Sequence, residues 1–271
     1  MLPGTKVLPK ELLPIVDRPI VQYGVEEAVR AGIRQVVLIT NPENKLTASH
    51  FSTDPVLEAA LTEKDKPELL ATLRALAAMA DVTSLPQAQP RGLGHAVLCG
   101  RHVVGRCPFA VLLPDDVIDA EPTALQQMLN VFAEVNGPVL LVERVPRSDV
   151  SRYGIIAAEP VRDGVLRVTD LVEKPDPDKA PSEFAVIGRY ILTPDIFELL
   201  EQTQVGADGE MQLTDALRTM LSVRPIHACV LQGTRLDAGT KLGYVKAVLH
   251  FALKRPELGP ELKVFIKQLL G

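Results

Sequence analysis

The feature that most restricts the fold of this chain is the regular exchange of two hydrophobic periods over its first 145 or so residues. Ile20, Val21, Gly24, Val25, Ala28 and Val29 recur at helical spacing, and Gly32 follows as a C-terminal cap. Next comes Val36-Val37-Leu38-Ile39-Thr40, apolar without alternation, as a strand covered on both faces requires. The exchange then repeats. Pro67 opens a helix to about Met79, ahead of the short strand Val82-Thr83-Ser84-Leu85. A helix with Ala96, Val97, Gly100 and Val104 on one face precedes Phe109-Ala110-Val111-Leu112-Leu113. A helix around 124–135 leads into Val139-Leu140-Leu141-Val142. This rhythm predicts an α/β protein with a mostly parallel sheet and helices on both faces.

Beyond residue 145 the rhythm changes. Strands are predicted at 155–158, 165–173 and 185–192, with Asp163-Gly164 as a turn, so part of the sheet is expected to be mixed or antiparallel. A helix near 213–221, a strand at 226–231 and a helix near 242–254 follow. The last helix opens at Pro260 and carries the stripe Leu262, Phe265, Ile266 and Leu269. No repeat, low-complexity tract or dividing linker interrupts the chain, and one domain over 1–271 is expected.

Charge and cysteine usage narrow the function. The formal charge of −5 argues against a nucleic-acid partner, whose phosphate backbone calls for a basic surface. A phosphorylated small molecule needs only a few cations. Cys99, Cys107 and Cys229 are odd in number and lack CxxC spacing, which suits a reducing cytoplasm. No apolar run reaches the roughly 18 residues of a membrane span, and the start lacks the layout of a signal peptide.

Several stretches could carry chemistry. Leu113-Pro114-Asp115-Asp116 closes a predicted buried strand, where α/β sheets bind ligands and where carboxylates suit Mg²⁺; a polar turn is the alternative. Glu173-Lys174-Pro175 closes another strand: Glu173 could accept bonds from sugar hydroxyls and Lys174 could hold a phosphate, or the two could form an exposed salt bridge. Gly92-Leu93-Gly94-His95 precedes an apolar helix and lets backbone approach an anion. Lys10 lies in a loop framed by Pro9 and Pro14. Asp237, before Ala238-Gly239-Thr240, is either a second metal ligand or a helix cap.

The order of these stretches resembles that in the bacterial UTP–glucose-1-phosphate uridylyltransferases, a branch of the sugar-1-phosphate nucleotidylyltransferases. The resemblance begins with residues 6–20, which look like the exit of the family's nucleotide loop. Gln87, five residues before Gly92-Leu93-Gly94-His95-Ala96, matches the uridylyltransferase branch. Leu113-Pro114-Asp115-Asp116, Arg152-Tyr153-Gly154, Glu173-Lys174-Pro175 and Gly188-Arg189-Tyr190 follow in order. Gly209-Glu210-Met211-Gln212-Leu213-Thr214-Asp215 and the segment 237–244 complete the series, which spans essentially the whole chain.

The resemblance implies a nucleotide-diphospho-sugar transferase fold, a three-layer α/β/α Rossmann-like sandwich. It also implies Mg²⁺-assisted conversion of UTP and glucose 1-phosphate into UDP-glucose and pyrophosphate. By the same resemblance, Asp115 and Asp237 would bind Mg²⁺, and Lys10 would contact the UTP phosphates. Gln87 and Gly92 would read the uracil edge. Glu173 would bind sugar hydroxyls, with Gly154 and Gly188 lining the sugar pocket. Lys174 would hold the glucose phosphate, with Asp116 on the same side. A homo-oligomer, dimer or tetramer, is implied, with the helix at about 260–270 at its interface. Another sugar or base, or an inactive paralogue that regulates the active enzyme, are the rival readings.

Family members also carry a buried strand and a G-x-G-T-R loop directly before the segment matched by Met1-Leu2-Pro3. The expectation is therefore that Met1 is internal to a longer native chain, whose mass would exceed 29.4 kDa, the alternative being a shortened, impaired protein.

Overall fold

The computed structural model describes residues 1–206 and 209–271. The chain opens with a 3-10 turn at Lys10–Leu12, a short antiparallel pair β1 (Pro14–Ile15) and β2 (Arg18–Pro19), and α1 (Ile20–Arg30). Gly32, at φ 87°, turns the chain after α1 as the sequence implied. β3 (Gln35–Thr40), α2 (Leu46–Ser49), α3 (Pro55–Glu63), α4 (Pro67–Ala77) and β4 (Asp81–Pro86) form one unit, with β3 and β4 parallel. The single helix expected around 96–104 is broken at Gly100 into α5 (Gly92–Cys99) and α6 (Arg101–Val104). β5 (Phe109–Leu112), β6 (Asp116–Asp119), α7 (Ala124–Val135) and β7 (Val139–Arg144) come next. α7 starts at a reciprocal Thr123–Gln126 capping box and stops at Asn136 in the left-handed region.

The remainder is β8 (Gly154–Arg162), β9 (Val165–Glu173), β10 (Phe184–Leu192), α8 (Ile196–Gln202), α9 (Leu213–Met220), β11 (Ile226–Val230), β12 (Thr234–Asp237), α10 (Lys241–Lys254) and α11 (Gly259–Leu270). Six strands form the central sheet in the order β5-β10-β7-β11-β9-β8. The sheet is mixed, but its parallel share is smaller than the rhythm implied. Among the described residues, only β7 and β11 run parallel within it. β10 returns antiparallel between β5 and β7, and β8 and β9 are a hairpin turning at Gly164, which adopts φ 71°.

β7 shows the three layers in four residues. Val139 and Leu141 face Ala124, Leu125 and Met128 of α7 and Ala28 of α1, whereas Leu140 and Val142 face Phe197, Leu200, Leu213 and Leu217 of α8 and α9. Burial on both faces is what its unbroken apolar run encodes. β3 and β5 differ from the expectation of full burial: no residue of either is fully buried. Each has one hydrogen-bonded neighbour among the described residues, so one edge is left uncovered.

β6 and β12 form a separate antiparallel pair that packs with α10 around Ile15, Ile20, Val117, Ala238 and Ala247. This pair was not foreseen, because each four-residue strand carries charged or polar residues at its ends. It is also the element that sets Asp116 opposite Asp237.

Candidate active site

β5 ends at Leu112, and the amide of Leu113 donates to the Gly188 carbonyl at 2.7 Å. The chain turns at Pro114 and re-enters extended structure at Asp116. The β6–β12 register sets Asp116 opposite Asp237, and the Ala238 amide donates to the Asp115 carbonyl at 2.8 Å. Two acidic segments far apart in sequence are thereby zipped together. A Cβ built on Gly239 would lie 2.9 Å from Asp115 Oδ2 and 3.0 Å from Asp237 Oδ1, so both carboxylates converge on one point. Each has its own cation. Lys10 Nζ is 2.6 Å from Asp115 Oδ2, and Arg152 Nη2 is 2.8 Å from Asp237 Oδ2. Asp237 does not cap α10; the Thr240 hydroxyl does so, accepting from the Gly243 amide at 3.1 Å.

The donor set fits Mg²⁺ in the form phosphate enzymes use. Among the described residues no group of three or more His, Cys, Asp or Glu could cage a metal by itself. Two convergent carboxylates are nonetheless what a Mg²⁺ ion completed by water and substrate phosphates takes from a protein.

Asp116 sits behind this pair, buried, with its Oδ1 bonded to Arg235 Nε. Arg235 Nη1 also reaches Glu143 Oε1 at 2.7 Å and Tyr153 Oη at 3.3 Å. Burial pushes the Asp116 carboxyl above the usual aspartate range, and Arg235 opposes the shift. A Cβ on Gly188 would lie 2.3 Å from Asp116 Oδ2, and Gly188 has φ 21°, so only glycine fits there.

The sugar-side candidates form a third group. The β8–β9 register pairs Gly154 with Glu173. Glu173 Oε2 accepts from Thr214 Oγ1 at 2.7 Å, and a Cβ on Gly154 would lie 3.2 Å from both oxygens. Lys174 adopts φ 43°, an uncommon conformation for a long side chain, and its amide donates to the Tyr153 carbonyl at 2.9 Å. Its Nζ, 3.5 Å from Glu173 Oε1, projects from a side chain that is half exposed.

Gln87 follows β4, and its amide donates to the Thr40 carbonyl at 2.7 Å. Its Nε2 donates to the Gly92 carbonyl at 3.2 Å and lies 3.0 Å from His95 Nδ1. Gly92 has φ 87°, and a Cβ there would meet Glu210 Cβ at 2.9 Å. Gly94 and Met211 are joined through the Gly94 amide and the Met211 carbonyl at 2.9 Å. The segment 210–214 therefore touches the glycine turn at one end and Glu173 at the other.

Lys10 thus meets Asp115, whose carboxylate and that of Asp237 flank Gly239, while Gly188 meets Asp116, Gly154 and Lys174 meet Glu173, and Gln87 meets Gly92. Arg152, Arg235, Thr214 and His95 were not singled out from sequence as site residues. Arg235 could be tied to Asp237 only once β12 is seen as a strand, where the two, at positions i and i+2, share a face.

A sequence profile described as Nucleotidyl transferase matches residues 1–252. The chain belongs to the nucleotidyl transferase family. This nucleotidyl transferase is 45% identical over 269 residues to the UTP–glucose-1-phosphate uridylyltransferase YngB of Bacillus subtilis strain 168, covering 99% of this chain and 91% of that one. The UTP-bound UGPase from Acinetobacter baumannii superposes with a TM-score of 0.91 at 40% identity, covering 99% of this chain and 94% of that one. A UDP-glucose pyrophosphorylase complexed with UDP-glucose superposes with a TM-score of 0.85 at 40% identity and 94% coverage of both chains. The nucleotide-diphospho-sugar transferase fold implied by the motifs is the fold this nucleotidyl transferase adopts.

Proposed function

We propose that this chain transfers a uridylyl group from UTP to glucose 1-phosphate, giving UDP-glucose and pyrophosphate. The observation that carries the reading is the convergence of Asp115 and Asp237 beside Gly239, with Lys10 on the Asp115 oxygen that faces Gly239 and Arg152 on the outer oxygen of Asp237. The names of the relatives support the choice of base and sugar.

In the reaction a phosphate oxygen of glucose 1-phosphate attacks the α-phosphorus of UTP. The new O–P bond forms as the bond to pyrophosphate breaks, and the electron pair leaves with the pyrophosphate oxygen. The nucleophile is already ionised, so no side chain has to remove a proton. Two anions must be brought together, and the protein's task is positioning and charge neutralisation. Asp115 and Asp237 would hold Mg²⁺, which when bound supplies a Lewis acid for the phosphate oxygens. Lys10 turns from Asp115 toward the UTP phosphates, and Lys174 draws in the glucose phosphate. Gln87 and Gly92 meet the uracil edge. Glu173, oriented by Thr214, accepts from sugar hydroxyls. Gly154 and Gly188 keep the sugar pocket clear, and Asp116 with Arg235 braces its floor.

In this reading residues 1–271 belong to a single domain, and the protein acts in the cytoplasm. No helix among the described residues is long and apolar enough to cross a membrane. It assembles as a homo-oligomer, dimer or tetramer. The exposed Val264, Phe265 and Leu269 of α11 and Leu242 and Val245 of α10 give a second copy an apolar face. Light scattering should return the mass of two or four chains, and a strictly monomeric mass rejects this part. Pyrophosphate release tests the activity: UTP with glucose 1-phosphate should outpace dTTP, CTP and galactose 1-phosphate pairings. Equal rates for all of them, or none for any, reject the reading.

A further inference from the structure

Arg189, on β10, has 1% of its side chain exposed, and its partner Glu27, on α1, has 7%. Nε and Nη2 of Arg189 bond Glu27 Oε2 at 3.1 and 2.8 Å. The remaining nitrogen, Nη1, donates to the main-chain carbonyls of Leu113 at 2.9 Å and Gly188 at 3.1 Å. The other oxygen of Glu27 accepts from the Leu125 amide at 3.0 Å, in the first turn of α7, where a carboxylate is favoured. A continuous line of bonds thus runs from the α7 N-terminus through Glu27 and Arg189 to Leu113, two residues before Asp115. The Leu113 amide is also held, by the Gly188 carbonyl.

Residues next to the pair along α1, α7 and β10 (Ala28, Ala124, Leu125, Ile187 and Ile191) belong to one apolar cluster, and the buried Asp116 carboxylate lies within reach of the Arg189 charge. Well-packed hydrophobic side chains in place of a buried ion pair are often as stable or more so. Stability alone therefore does not account for a guanidinium here. Its fork geometry does, since two nitrogens face Glu27 while the third is aimed at the strand end that carries Asp115. We infer that Arg189, oriented by Glu27, is a positioning residue that sets the Asp115 carboxylate by gripping the Leu113 carbonyl. The inference rests on the reading of Asp115 as a metal-holding carboxylate.

The test uses the full chain with Arg189→Lys and the double variant Glu27→Leu/Arg189→Met. Thermal melting reports folding, electron paramagnetic resonance reports Mn²⁺ bound with UTP, and pyrophosphate release gives kcat and KM. Arg189→Lys keeps a cation opposite Glu27 but cannot reproduce the three-way fork. It should fold and bind Mn²⁺ roughly 10–100-fold more weakly, the usual effect of removing support behind a metal ligand. kcat should fall in step, with KM for glucose 1-phosphate within about twofold. The double variant removes the buried ion pair but also leaves the Leu125 amide and the Leu113 carbonyl without their side-chain partners, so it should fold with a somewhat lower melting temperature and show the same weakening. A folded variant of either kind with wild-type Mn²⁺ affinity overturns the inference. If Arg189→Lys does not fold, the double variant decides. A wild-type chain that releases no pyrophosphate but binds Mn²⁺ sinks the transferase reading while the affinity comparison still decides the role of Arg189. A wild-type chain that binds no Mn²⁺ sinks both.

Discussion

Replacing Gly239 with alanine puts one methyl group between the two carboxylates and changes little else. The added Cβ would stand 2.9 Å from Asp115 Oδ2 and 3.0 Å from Asp237 Oδ1, against an ordinary contact of roughly 3.5 Å. Both carboxylates would have to retreat by about half an ångström. Gly239 is not in the left-handed region, so the alanine backbone is unstrained. The displaced groups end part-exposed side chains, 29% for Asp115 and 26% for Asp237, so they can move at small cost. Gly→Ala also restricts the unfolded chain, which stabilises by about 0.4–1 kcal/mol and offsets that cost. The melting temperature should thus stay within about 4 °C of wild type. Catalysis should respond far more, because misplacement on the ångström scale costs about 10²-fold. Pyrophosphate release at varied Mg²⁺, alongside thermal melts, reads both quantities. Turnover near wild type with an unchanged Mg²⁺ dependence would refute the convergence of Asp115 and Asp237 on a shared ion.

Three further outcomes follow from other parts of the molecule. Thr214→Val removes the donor to Glu173 at nearly constant volume; at about 1.5 kcal/mol for a bond to a charged group, KM for glucose 1-phosphate should rise about tenfold with kcat little changed. Unchanged KM would mean that Thr214 does not orient Glu173. Asp119 is bonded by Lys254 at 2.6 Å and His250 at 2.5 Å; burial raises its carboxyl, but these bonds prevail and hold it below the usual aspartate value of about 3.9. That stabilisation is present above the usual value and lost as pH falls through the lowered one. Asp119→Asn should therefore flatten the loss of stability below about pH 4 in urea titrations, and an unchanged slope would contradict it. Burial pushes the Cys229 thiol up to about 11, whereas Cys107 is exposed, so a thiol reagent should modify Cys107 in the native protein and Cys229 only after unfolding.

Much of the scaffold was legible because long apolar periods encode it. The helix read at 124–135 and the strand read at 165–173 agree with α7 and β9 to the residue. Strand direction was less legible. Nothing in the side chains of β10 records that it returns between β5 and β7, so the parallel share was overestimated. β6 and β12 escaped because four residues with charged ends carry no usable period. The candidate site residues were read from the order of motifs, while the side chains that contact them were hidden. Arg189, Arg235 and Thr214 bond partners up to 162 positions away in sequence, a relation that only folding creates.

The most direct test of the account is UDP-glucose formation from UTP and glucose 1-phosphate by the wild-type chain and by Asp115→Ala, Asp237→Ala and their double variant, each with Mg²⁺ and with a chelator. Each single change should cost roughly 10²–10³-fold, the chelator should abolish wild-type activity, and the double variant should be little worse than either single one, because both carboxylates serve one ion. Near-normal turnover by Asp115→Ala would contradict the account.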